Sequence, residues 1–82
     1  MRLSENADKF LVTSQDFLSA GNRIKYEDVN EYCGFDKNTL YSVLDELRQT
    51  GYIEFDFMGL GQNYRYEYQK EFVLTDKGKN YS

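Results

Sequence analysis

Apolar positions follow a helical spacing through the first fifty residues and an alternating one afterwards. Between residues 4 and 20, Ala7, Phe10, Leu11, Phe17 and Leu18 recur at three- and four-residue intervals, with Ser14 as the polar member of the stripe. The spacing predicts a first helix over about residues 5–20. Ser4 is its N-cap, Glu5 and Asp8 lie in the first turns, and Gly21-Asn22 supplies a left-handed stop. Arg23-Ile24-Lys25 reads as a short extended piece with Ile24 turned inward. Tyr26 to Cys33 reads as a second helix whose buried face holds Val29, Tyr32 and Cys33, ended by Gly34.

Asp36 is a good N-cap for a third helix over about residues 37–50, where Leu40, Val43, Leu44 and Leu47 form one stripe. After Thr50-Gly51 the period drops to two. Ile53, Phe55 and Phe57 alternate with Glu54, Asp56 and Met58. Tyr64, Tyr66, Tyr68, Phe72 and Leu74 share one side of the next run. Gly59-Leu60-Gly61-Gln62-Asn63 joins these runs as a hairpin over about residues 52–74. Thr75-Asp76-Lys77-Gly78 leaves room for one helical turn.

Composition narrows the chemistry. At 82 residues the chain is one small domain, and without histidine and with Cys33 alone it lacks zinc-finger ligands and a Ser-His-Asp or Cys-His nucleophile system. Cys33 lies on an apolar stripe and reads as a packed small side chain, not a reactive thiol. One cysteine permits no internal disulfide, and no apolar run is long enough for a membrane span or signal core, so a cytoplasmic protein is expected. The carboxylate pairs Glu27-Asp28, Asp45-Glu46 and Glu54/Asp56 fall on exposed faces of a domain too small for a deep pocket. No enzyme activity, cofactor or metal is expected. The net charge of −4 weighs against binding nucleic acid by charge alone.

The turn Gly34-Phe35-Asp36 between two helices has the form of a helix-turn-helix, and a hairpin directly after the second helix makes it a winged one. The segment from Val29 through Cys33-Gly34-Phe35-Asp36 to Leu40, Val43-Leu44, Leu47 and Gly51-Tyr52-Ile53-Glu54 resembles the winged helix-turn-helix core of small bacterial, phage and archaeal regulators. The ending Phe72-Val73-Leu74-Thr75-Asp76-Lys77-Gly78-Lys79 is similar to the strand-to-helix junction of the MarR and PadR families. The resemblance implies an α+β fold, a single winged helix-turn-helix domain over residues 1–82 with three helices, a short strand and a C-terminal β-hairpin wing. Two positions depart from it. Asn30 stands where a small alanine usually packs, and Lys25 where a Ser or Thr cap is common, so the second helix is expected to be weakly capped. With no further dimerisation helix before Ser82, a homodimer is expected to use the first helix, the wing or a swapped strand.

The resemblance implies that the third helix enters the major groove of double-stranded DNA and that the protein is a sequence-specific transcriptional regulator. Opposite its apolar stripe lie Asn38, Ser42, Asp45 and Gln49, flanked by Thr39 and Tyr41. Asn38, Thr39, Tyr41, Ser42 and Gln49 are therefore the candidates facing bases, since Asn and Gln pair bidentately with adenine and Ser or Thr reaches phosphate or base. Lys37, Arg48 and Arg65 are the phosphate candidates, but the stretch from Asp36 to Thr50 carries three carboxylates against two cations, so binding should be weak and little affected by salt. The alternative is an acidic protein-interaction module, an adaptor or an inhibitor of a nucleic-acid-binding partner. In that reading Tyr64, Tyr66 and Tyr68 form an interface ladder on the wing; packing against Phe55 and Phe57 is the other role open to them.

Overall fold

The first helix begins where its cap requires. The Ser4 hydroxyl accepts from the Ala7 N–H at 3.2 Å, and α1 runs Glu5–Gln15. This is a computed structural model, and it describes residues 3–18, 23–55 and 69–81. The expected continuation of α1 to residue 20 is not observed. From Asp16 the backbone bonds tighten to i→i−3, with Asp16 N–H on Thr13 and Phe17 N–H on Ser14. The Thr13 and Ser14 hydroxyls donate back to the Lys9 and Phe10 carbonyls at 2.7 Å, the local competition that weakens a helix end. Phe17 and Leu18 still pack on the core after the helix has ended. The Gly21-Asn22 stop lies outside the described residues.

β1 (Ile24–Lys25) leads directly into α2 (Tyr26–Cys33), which begins at Lys25 without a side-chain cap bond, as expected. Gly34 then takes the left-handed conformation, φ +72°, that ends the helix. The buried face of α2 corrects the sequence reading. Tyr26, Val29 and Cys33 point inward, whereas Tyr32 is 72% exposed. In a helix turning about 100° per residue, Tyr32 lies roughly 90° from the line through Tyr26, Val29 and Cys33. Its ring meets Phe17 edge-on at 5.8 Å.

α3 (Lys37–Gln49) buries Leu40, Val43, Leu44 and Leu47, and is followed by β2 (Ile53–Glu54). β3 (Glu71–Leu74) and the single-turn helix α4 (Asp76–Lys79) complete the described elements. The sheet is antiparallel in the order β1-β3-β2, with Ile24 opposite Phe72 and Ile53 opposite Leu74. The core joins these four residues to Phe10 and Leu11 of α1 and to Leu44 and Leu47 of α3. Burying each such side chain is worth roughly 1.5–3 kcal/mol. Four helices and a three-stranded antiparallel sheet make an α+β architecture among the described residues. The part of the expected wing that carries its turn and Tyr64 to Tyr68 lies outside them.

The C-terminal junction closes around α3's exit. Thr75 caps α4 by accepting from Gly78 N–H at 3.1 Å, and its hydroxyl faces the Gly51 and Tyr52 carbonyls at 2.6 and 3.1 Å. Lys77 donates to the Thr50 carbonyl at 2.8 Å and lies 4.5 Å from the Tyr52 ring centroid. A Cβ on Gly78 would overlap the Tyr52 carbonyl oxygen. Gln15 ties the same junction to α1 by donating to the Gly78 and Tyr81 carbonyls at 3.0 and 2.8 Å.

Candidate nucleic-acid interface

The N-terminal half of α3 is positioned by its own approach. Asp36 accepts from the Thr39 N–H at 2.7 Å, and hydrogen bonds from the Thr39 backbone and hydroxyl hold the Asp36 carboxyl below the usual aspartate range. The turn before it is clasped by Asn30. Its amide nitrogen donates to the Phe35 carbonyl and its amide oxygen accepts from the Phe35 N–H, both at 3.0 Å. An alanine there could make neither bond, so the residue that departs from the regulator pattern fastens the turn that sets the angle of α3. Lys9 of α1 covers the turn, with its ammonium 5.9 Å from the Phe35 ring centroid.

The outer face of α3 carries Asn38, Ser42 and Gln49, all exposed. The side chain of none of the three has a hydrogen-bond partner among the described residues. Asp45 shares the face and reaches Arg48 at 3.6 Å. Thr39 and Tyr41, both half-buried, stand on opposite flanks. Thr39 faces the start of α1, where Ser4, Asn6 and Glu46 line a shallow depression of about 250 Å³ with Asn38 and Ser42. Tyr41 faces α2, edge-on to Tyr26 with ring centroids 6.4 Å apart, and the Lys37 ammonium stands 5.7 Å from its ring. The structure thus brings Asn38, Ser42 and Gln49 together and sets Thr39 and Tyr41 to either side.

The carboxylates of α3 are engaged within the fold. Asp36 caps the helix, Asp45 pairs with Arg48, and Glu46 accepts from the Ser4 N–H and hydroxyl, both at 2.8 Å. The pairing with Asp45 also holds Arg48, whose Nε is buried with no hydrogen-bond partner among the described residues. Lys37 is exposed beside the helix start. Arg65, Tyr64, Tyr66 and Tyr68 lie outside the described residues.

Sequence reasoning missed the groove on the Tyr41 flank. It has a volume of about 510 Å³ and runs between α2, α3 and the approach to β3. Lys70 enters it because the Tyr26 N–H donates to the Lys70 carbonyl at 3.1 Å, and Lys70 pairs with Glu27 at 3.9 Å. No periodicity in the sequence announces this meeting, which depends on pairing between residues more than forty apart.

Elsewhere, burial pushes the Cys33 thiol up, partly offset by the Thr13 hydroxyl and by Lys9, and Cys33 packs in the core. No group of three or more potential metal ligands occurs among the described residues, and no helix there is long and apolar enough to cross a membrane. No protein-family model, curated protein or solved structure matches this chain.

Proposed function

We propose that the chain is a winged helix-turn-helix domain that binds double-stranded DNA through α3 and acts as a transcriptional regulator. The observation that carries this reading is the outer face of α3, where the side chains of Asn38, Ser42 and Gln49 stand exposed with no hydrogen-bond partner among the described residues. Amide side chains held on a rigid helix suit bidentate pairing with the adenine edge, each good pair being worth about 1–3 kcal/mol against the wrong base. Thr39 and Tyr41 extend the reading surface at its edges. Lys37, Arg48 and Arg65 supply phosphate contacts.

Internal engagement of the carboxylates supports the same reading. Glu46 is directed at α1 and Asp36 at the helix start, which leaves Asp45, paired with Arg48, as the one carboxylate on the outer face. Three cationic contacts give a shallow dependence of affinity on salt, a logarithmic slope of about −3. A mobility-shift assay with random and selected duplexes at low salt tests the proposal. A shifted complex that Asn38→Ala and Gln49→Ala make less sequence-selective supports it. No shift at high micromolar protein overturns it.

A further inference from the structure

The groove beside Tyr41 has features that the reading face of α3 does not use. The exposed Lys37 of α3 and Lys70 of the approach to β3 line it, together with the buried Tyr26 and the half-buried Tyr41 and Asn30. The backbone of both lysines is placed by the fold. Lys70 is anchored through its carbonyl to the first N–H of α2, and Lys37 lies one residue after the Asp36 cap. The groove adjoins the outer face of α3, because Tyr41 flanks that face and lines the groove.

We infer that this groove seats a backbone phosphate of duplex DNA, with Lys37 and Lys70 as its cationic walls and Glu27 as the carboxylate the phosphate displaces. The inference rests on the DNA-binding reading of α3 and adds a contact residue, Lys70, together with an antagonist, Glu27. The chemistry favours a phosphodiester over a stacked base. Tyr26 is only 3% exposed, and Tyr41 is already flanked by the Tyr26 ring and the Lys37 ammonium, so the two rings are a poor stacking platform. Two ammonium-bearing side chains lining one groove match an anionic backbone. Glu27 holds Lys70 in a solvent-exposed pair, and such pairs exchange partners at little cost.

The two residues should act in opposite directions. Lys70→Gln is expected to weaken binding several-fold on every duplex tested, with sequence preference unchanged, and to make the logarithmic salt slope shallower by about 0.9. Glu27→Gln is expected to strengthen binding several-fold. Lys79→Gln on α4 and Glu31→Gln on α2 match the two charge changes at exposed positions outside the groove, and both are expected to have much smaller effects. The test is fluorescence anisotropy on duplex and single-stranded oligonucleotides over a range of salt, with circular dichroism confirming that each variant is folded. If the wild-type protein binds duplex and Lys70→Gln or Glu27→Gln behaves like its control, the groove assignment falls while the reading of α3 stands. If the wild-type protein binds no duplex, both fall. Binding of single strands in preference to duplex also overturns the seat as assigned.

Discussion

The two ends of α3 are held in different ways. At its start, the turn from α2 is fastened by residues within a few positions of one another: Gly34 in the left-handed region, the Asn30 amide on Phe35, and Asp36 on Thr39. At its finish, Thr50, Gly51 and Tyr52 are gripped by Thr75, Lys77 and Gly78, more than twenty residues away. The distant grip ties α3 to the sheet, to α4 and through Gln15 to α1, so loosening it should cost global stability. The local clasp fixes the direction in which Asn38 and Ser42 are presented, so loosening it should disturb the reading face more than the fold. Stability is concentrated at the finish of this helix, whereas four of the five proposed reading residues, Asn38, Thr39, Tyr41 and Ser42, lie in its first half.

The sharpest way to break this contrast is to place a methyl group at each end. Gly78→Ala puts a Cβ into the Tyr52 carbonyl, and a loss on the order of 3 kcal/mol is expected in urea unfolding. Gly34→Ala meets no atom within 4 Å and bears only the left-handed backbone cost, about 1 kcal/mol. Equal losses would remove the distinction between the two ends. Next in size, Thr75→Val deletes a hydroxyl that caps α4 and faces two carbonyls, and about 2 kcal/mol is expected. Asn30→Ala should cost about 1 kcal/mol, with amide hydrogen exchange at Phe35 accelerated and exchange in α4 unchanged. If Asn30→Ala instead accelerates exchange throughout the molecule, the clasp is not local.

The smallest effect is a pH dependence at the start of α3. Hydrogen bonding lowers the folded pKa of Asp36, so its contribution is fully present above the unfolded aspartate value near ~3.9 and is lost as pH falls through the lower folded value. The difference in Tm between wild type and Asp36→Ala should therefore be constant from pH 7 to about 5 and shrink below pH ~4. A gap that persists unchanged in acid would show that the carboxylate's charge is not what caps the helix.

How much of this was legible in the sequence follows the same division. Caps and stops are local, so Ser4, Gly34 and Asp36 announced themselves and α2 and α3 lie within a residue of their expected bounds. Tyr32 was misplaced because an eight-residue helix offers too few turns to separate a side position from an inward one. Tyr26, at its first position, took the inward place. α1 stops five residues early because Thr13 and Ser14 bond backwards, an event hidden beneath an apolar stripe that continues through Phe17. Asn30 looked like a flaw when weighed only as a packing residue, since its value lies in two bonds to Phe35. In the candidate site, the exposed face of α3 could be read from helical spacing alone. The engagement of Glu46 by Ser4 and the placing of Lys70 beside Glu27 could not, because each joins segments that only the tertiary fold brings together.

Titration of the uniformly ¹⁵N-labelled protein with a duplex obtained by selection tests the central claim most directly. The account predicts that the backbone amide resonances of Asn38, Thr39, Tyr41, Ser42 and Gln49 and the side-chain amides of Asn38 and Gln49 shift most, with Lys37 and Lys70 following, while α4 and the exposed Tyr32 face stay still. Shifts confined to Tyr32 and Phe17, or no shift of α3 at saturating duplex, would contradict it.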